Sequence, residues 1–400
     1  MVNTPLAGLR VMDLTRFVAG SQATATLAAL GAEVIKIEVP PDGDPYRVQG
    51  TERLGDQSVL FMSLNSGKRS VALDIRSPLA SDAIERLLHS SDFLVENARP
   101  GSLAHHRLDW ESVHARHPSL VYGSISGYGD VGPDASRGGF DLTLQAESGV
   151  MSVTGSAGSG PVKVGAPVLD VGAGLSCALG LLAAHIERLG TGRGRHVCSS
   201  LLEFALAGLG TLAASYFVSG EVPGLLGTHS PTFAPYGGFR TSDGWIVLAG
   251  AGSEDLWVRC CRVLGVEDLL SDPRFVDNAA RVHNRDELTE RFEQALTGRT
   301  SAEWMHALEA EGVPAAQVRD VAQVFDGPQP DALGSVQELT HPQAGPYRVV
   351  GSPIRIDAEA LPYPRPAPSL GADTREVLTG LGLSDRDVAH LVEAGVAIAP

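Results

Sequence analysis

The sequence predicts an α/β protein: a parallel sheet clothed by helices, followed by a smaller α+β part. Three observations carry this. The opening forty or so residues read as strand, loop, helix, strand. Strand and helix patterns then keep alternating as far as residue 200. Beyond Gly220 the texture changes to a hairpin followed by several helices.

Taken in order, Leu9 to Leu14 is an apolar run, Ala23 to Leu30 is helical, and Glu33 to Glu38 carries the alternation Val-Ile-Lys-Ile. This is a βαβ unit, whose parallel strands require a crossover helix. Glu38 stands where nicotinamide-dependent enzymes place a ribose-binding acid. The loop Thr15 to Ser21 lacks the GxGxxG spacing that lets backbone approach a pyrophosphate, so no nicotinamide site is expected. Ser70 to Ile75 and Phe93 to Glu96 read as strands around an amphipathic helix, Leu79 to His89. Leu120 to Ile125 is a further strand, running into Ser126-Gly-Tyr-Gly129.

Val164 to Leu169 reads as a short strand or extended segment and Gly172 to Ile186 as a buried helix. Gly190-Thr-Gly-Arg-Gly194 has the look of a phosphate loop, but it lacks the Gly-Lys-Ser/Thr ending and precedes a strand, so a helix-to-strand turn is expected. A helix from Leu201 to Val218 leads to the linker Gly220 to Gly224. Pro235 to Ala249 reads as two strands around a Ser-Asp-Gly turn. Helices follow at Glu254–Leu264, Arg285–Leu296 and Ser301–Glu311. From about Leu333 the chain is Pro-rich and extended, ending in a helical pair at 374–381 and 384–394.

Composition narrows the function. A chain of 400 residues can bury a large core and divide into two domains. The formal net charge of −16 disfavours general binding to a phosphate polyanion, so no nucleic-acid partner is expected; an acidic small molecule needs only a few placed Arg or Lys residues. The start shows neither a basic nor an apolar leader pattern, and the Leu/Ala-rich tract Leu175 to Ile186 is shorter than a membrane span, so no membrane partner is expected. Cys177, Cys198, Cys260 and Cys261 have no metal-like spacing and no disulfide framework, which points to a cytoplasmic setting. His105, His106, His114 and His117 lack accompanying ligand spacing; a solvated helix face is expected there, and no metal.

Asp170 is the candidate reactive carboxylate. It lies in Gly165-Ala-Pro-Val-Leu-Asp-Val-Gly-Ala-Gly174, where extended chain meets a small-residue helix. As a helix N-cap it would be held ionised by backbone N–H groups and the helix dipole, and Gly172 and Gly174 would let a bulky partner approach. The same placement also suits a cap with no chemistry.

Several phrases together resemble the class III coenzyme A-transferase family (CaiB/BaiF-like), which includes formyl-CoA transferase and the α-methylacyl-CoA racemases. They are Pro5-Leu-Ala-Gly-Leu-Arg-Val-Met-Asp-Leu14, Leu30-Gly-Ala-Glu-Val-Ile-Lys-Ile-Glu38, Gly43-Asp-Pro-Tyr-Arg47, Leu64-Asn-Ser-Gly-Lys-Arg-Ser70, Val95-Glu-Asn-Ala-Arg-Pro-Gly101, Phe140-Asp-Leu-Thr-Leu-Gln-Ala146 and the Asp170 phrase. Ala234-Pro-Tyr-Gly237 and Pro366-Ala-Pro-Ser-Leu-Gly371 extend the likeness nearly to the end. The resemblance implies a large Rossmann-like domain built from residues 1–220 and completed by 331–400, with a small α+β domain, 221–330, inserted. It also implies an intertwined homodimer.

For function, the resemblance implies transfer of coenzyme A from an acyl-CoA thioester to a free carboxylic acid. Asp170 would be the nucleophile, passing through aspartyl anhydride and aspartyl-CoA thioester intermediates. No tightly bound cofactor is implied; coenzyme A enters as a substrate moiety. The coenzyme A positions carried over are Val39, Leu73, Asp74, Ile75, Arg76, Asn97, Ala98, Arg99 and His105, with Arg137 and Phe140 along the pantetheine arm. Val39 and His105 stand where well-described transferases have Arg, leaving Arg47, Arg99 or Arg107 to supply the charge. Val18 and Ala19 match the acyl pocket. Asp141 and Gln145 are expected to be structural. Two other readings stay open: a 2-methylacyl-CoA racemase or epimerase, and a non-catalytic acyl-CoA-binding protein. Against the racemase, Phe140 occupies the place of that branch's catalytic His, and a phenyl ring cannot move a proton. Gly224 to Gly238, with His229 and Tyr236, is either a cover over the site or a linker.

Overall fold

The computed structural model describes residues 4–250 and 252–400; the reading of the chain's start falls partly on residues 1–3, outside the described residues. The chain divides into two compact units. The first comprises residues 4–150, 164–219 and 329–400, and the second 151–163 and 220–328.

The first unit is built on a seven-stranded sheet. Its parallel strands are β1 (Arg10–Asp13), β2 (Glu33–Glu38), β3 (Arg69–Leu73), β4 (Phe93–Glu96), β5 (Val121–Ser126) and β6 (His196–Ser200); β7 (Ala397–Ile398) runs antiparallel beside β3. The order across the sheet is β6-β5-β4-β1-β2-β3-β7. Read along the parallel strands this is the doubly wound order, and the direction of winding reverses between β1 and β4. Open sheets of this kind bind ligands in the crevice beyond the strand C-termini at that reversal.

Successive residues of each strand bury opposite faces. Val11, Val34, Phe93 and Val121 pack with helices α1 (Ala19–Ala29) and α4 (Val168–Thr191). Met12, Ile35, Leu94 and Tyr122 pack with α2 (Ser81–Ser90) and the C-terminal helices Thr374–Gly380 and Asp385–Glu393. Burial on both faces explains why these strands read as apolar runs. α1 and α4 come close because their contact is made of small residues: a Cβ on Gly174 would sit 2.4 Å from the Ala19 carbonyl oxygen. Helix α3 (Asp141–Glu147) and helix α5 (Leu201–Gly208) pack at the C-terminal end of the sheet, near α4.

Local readings need correcting at three places. Val164 to Leu169 is not a strand; the helix already begins at Val168 and runs 24 residues, longer than the apolar tract suggested. It is long and apolar enough to cross a membrane, yet its Leu169, Cys177 and Leu181 side lies in the sheet core. The helix expected over Leu201 to Val218 breaks at Leu209, with a 64° bend between α5 and the following Gly210–Ser219 helix; Gly208 and Gly210 flank the break and weaken the helix there. The stretch after Leu333 is not simply extended. Val336–His341 and Gly345–Val350 form an antiparallel hairpin.

In the second unit Gly237–Arg240, Trp245–Leu248 and Ala315–Gln317 form an antiparallel sheet against helices Glu254–Leu264, Arg285–Leu296 and Ser301–Ala310. Phe239, Ile246, Trp257, Phe292 and Trp304 make its core. Here the His229 ring packs against Gly237 and edge-on to Phe239.

Candidate active site

The site grows from the end of β1. Asp13 is fully buried; its Oδ1 accepts from the Thr15 backbone N–H at 2.8 Å and hydroxyl at 2.6 Å, and its Oδ2 from Thr24 Oγ1 at 2.7 Å and Lys68 Nζ at 3.1 Å. Lys36, also buried, donates to the Thr15 carbonyl at 2.7 Å and pairs with Asp44 at 2.9 Å. Burial opposes the Asp13 charge, but Lys68 and Lys36, together with the bonds from Thr15 and Thr24, outweigh it and hold its carboxyl below the usual range. Lys68 feels two carboxylates, Asp13 and the weaker Asp44; burial, reinforced by Lys36, pushes it down to about 8 against their pull. Lys36 has three carboxylates around it, and they raise its pKa despite burial.

This network fixes the loop after β1 from beneath. From the side, Asn97 accepts the Arg16 N–H at 2.8 Å and donates to the Arg16 carbonyl at 2.7 Å, tying the β1 loop to the β4 loop at the winding reversal. Between these anchors Phe17 is held at φ 60°, a left-handed conformation uncommon for a bulky residue.

Asp170 is the third residue of α4 and not its cap; Pro167 holds the N-cap position. The cap comes from α3. Asp141 Oδ2 accepts the Leu169 N–H at 2.9 Å and the Asp170 N–H at 3.3 Å, its Oδ1 accepts from Gln145 Nε2, and Gln145 Oε1 accepts the Val164 N–H at 2.8 Å. The donors expected to hold Asp170 ionised are therefore bonded to Asp141. Burial, and then the charge of Asp141, push Asp170 up to about 7. The helix dipole does not win here because the first-turn N–H groups already face another carboxylate.

Asp170 opens onto a cleft of about 420 Å³ at the β1/β4 reversal, which Ala19, Asn97, Ala98, Arg99, Arg137 and Phe140 also line. A neighbouring cleft of about 280 Å³ is lined by Val39, Ile75, Arg76 and His106, and shares Arg16 and Ala98 with the first. Most of the residues singled out from sequence thus gather around two adjoining clefts. Others do not line them. Val18 is buried at the start of α1, and Phe17 is the residue that faces the cleft. Leu73 is core on β3. Asp74 is the partner of Arg76, in a bidentate pair at 2.7 and 2.9 Å. His105 is exposed, and its neighbour His106 lines the cleft.

The charge carriers also sort themselves. Arg47 is bonded in a fork to buried Glu38 at 2.6 and 2.8 Å and sits over the Phe61 ring, so its charge is already matched by Glu38. Arg137 is paired with Glu147 and Asp134. The Arg16 and Arg99 guanidinium groups, both exposed and both on the larger cleft, form no ion pair with any described residue. Sequence reasoning missed Arg16, Phe17 and Tyr46. For Arg16 the available signal was its position immediately after β1 in an open α/β sheet.

A family model described as CoA-transferase family III matches residues 6–374. The chain belongs to CoA-transferase family III. The transferase is 36% identical over 397 residues to human "Succinyl-CoA:glutarate CoA-transferase", covering 98% of this chain and 90% of that one. It is 33% identical over 388 residues to "Succinate--glutarate CoA-transferase" of Agrobacterium fabrum, covering 96% and 97%. It is 34% identical over 368 residues to "Acetyl-CoA:oxalate CoA-transferase" of Acetobacter aceti, covering 92% and 93%. Among solved structures, a CAIB/BAIF family protein from Brucella suis superposes with a TM-score of 0.84 at 33% identity, covering 95% of the transferase and 100% of that chain. A hypothetical protein from Mycobacterium tuberculosis gives 0.82 at 30% identity, covering 93% and 99%.

Proposed function

We propose that this transferase moves coenzyme A from an acyl-CoA thioester to a free carboxylic acid through Asp170. The observation that carries the reading is a half-buried carboxyl on a cleft flanked by two unpaired guanidinium groups, at the sheet's ligand-binding reversal. Relatives named for transfer between acyl-CoA and succinate, glutarate or oxalate support it.

An Asp170 oxygen attacks the thioester carbonyl carbon; the C–S bond breaks, giving a mixed anhydride and the coenzyme A thiolate. The thiolate attacks the Asp170 acyl carbon and expels the donor carboxylate, leaving an aspartyl-CoA thioester. The acceptor carboxylate attacks that same carbon and releases the thiolate, forming a second anhydride. Thiolate attack on the acceptor's acyl carbon yields the new thioester and returns Asp170 as a carboxylate. No net proton is consumed, and the energy of the thioester stays in the enzyme. Arg16 and Arg99 would hold phosphate oxygens of coenzyme A through charge-assisted hydrogen bonds. The racemase reading loses support because Phe140 is the ring that lines the cleft in place of a second base.

Incubation with acyl-CoA followed by hydroxylamine tests the reading. Peptide mass spectrometry should find a hydroxamate at Asp170, and an unmodified Asp170 under single-turnover conditions would remove it.

The functional form proposed is an intertwined homodimer in the cytoplasm. Helix Gly210–Ser219 has no buried residue, with Phe217 and Val218 exposed at 79% and 91%, and Leu179, Ile186 and Leu189 form an exposed apolar stripe on α4. Surfaces of this kind in one unit call for a partner, and light scattering should return twice the chain mass. The buried free thiols Cys177, Cys260 and Cys261 suit a reducing compartment.

A further inference from the structure

Three aromatic rings meet on the larger cleft, which Asp170 also lines. Phe17 stands edge-on to Tyr46, with ring centres 5.4 Å apart and planes at 90°, and edge-on to Phe140 at 6.0 Å and 85°. The left-handed backbone of Phe17, locked by Asn97 and by the buried Lys36, projects this ring toward the other two. Phe140 remains 65% exposed although it lines a cleft. Tyr46 is half-buried and lines the same cleft as Asp170, and its hydroxyl is made harder to ionise by burial and then by the charge of Asp170.

Resting on the reading above, we infer that Phe17, Tyr46 and Phe140 form the wall that selects the acyl group, and that it takes acids with a flat apolar body, aryl or conjugated, over short dicarboxylates. Edge-to-face packing leaves ring faces open, against which a planar group can stack or set its own edge. A second carboxylate there would lie against the electron-rich faces of the rings and near the charge of Asp170. Apart from Arg16 and Arg99, the polar side chains on the cleft are Asn97, held by the Arg16 backbone, Arg137, paired with Asp134 and Glu147, and the neutral Tyr46 and Ser126 hydroxyls and Gln49 amide, which give a second carboxylate no free cation in exchange for its water. Arg16 and Arg99, the unpaired cations of the cleft, are engaged by the phosphates in the same scheme.

The test compares kcat/KM for cinnamate and for glutarate as acceptors with one common acyl-CoA donor, in the parent protein and in Tyr46→Ala, Tyr46→Phe and Phe140→Leu. Cinnamate should be preferred at least about tenfold. Tyr46→Ala and Phe140→Leu should each lower that ratio several-fold, while Tyr46→Phe, which keeps the ring, should retain it. Turnover with glutarate preferred, or an unchanged ratio in both ring-removing variants, overturns the aromatic wall and leaves the transferase reading standing. Absence of transfer to either acid, together with no hydroxylamine-trapped Asp170, overturns both.

Discussion

Replacing Asp170 with asparagine abolishes coenzyme A transfer, by about 10³-fold or more in kcat, because each covalent intermediate in the proposed scheme is formed on this carboxyl. The parent enzyme should show a rate that rises with pH through about 7, since attack requires the carboxylate and burial beside Asp141 raises the pH at which it forms. Asp141→Asn keeps an oxygen to accept the α4 N–H groups while removing the neighbouring charge. Its acid limb should therefore move below that of the parent. An unmoved limb would show that Asp141 does not set the ionisation of the nucleophile.

The same shift predicts a stability effect of defined sign. The folded value of about 7 lies above the ordinary 3.8, so the favourable contribution is complete below 3.8 and is lost as pH rises through 7. Asp170→Asn should therefore unfold later than the parent above pH 7, by no more than about 4 kcal/mol, and show no such advantage below pH 4. Urea titrations at pH 8 and pH 3.5 check this. They also show that the inactive variant is folded.

Lys68→Met should destabilise the fold by about 3 kcal/mol, because it takes from the buried Asp13 carboxylate its directly bonded cation and leaves it only the charge of Lys36 and the Thr15 and Thr24 bonds. Lys68 Nζ also donates to the Ser21 carbonyl, Thr24 Oγ1 and Asn65 Oδ1, at 3.1, 2.7 and 2.9 Å, and all three acceptors lose that bond. The melting temperature should fall by roughly 10 °C. Adding Asp13→Asn should recover about 1–3 kcal/mol relative to the sum of the single changes, since the buried carboxylate that lost its bonded cation is gone. Strict additivity in thermal or urea unfolding would show that the pair is not coupled. Because this network supports the loop carrying Arg16 and Phe17, surviving Lys68→Met enzyme should also bind acyl-CoA more weakly.

Much of the scaffold was legible because local chemistry dictates it. The Val-Ile-Lys-Ile alternation announced a strand, the flanking helix pattern made it half of a parallel pair, and the helices of the second unit fell close to their apolar periodicity. Where two instructions competed, pattern reading failed. Val168 and Leu169 look like the end of a strand, yet they open a helix because Asp141, nearly thirty residues earlier, supplies the cap. Likewise Arg47 looked available for a phosphate until Glu38 was found bonded to it.

The amino-acid order by itself determined the alternating α/β class, the family and the candidacy of Asp170, since each depends on neighbours in the chain or on contiguous phrases. Which arginines remain unpaired, which rings line the nucleophile's cleft and how strongly its proton is held were decided only on folding. Those properties come from burial and from charges far apart in sequence, and no window along the chain contains both partners.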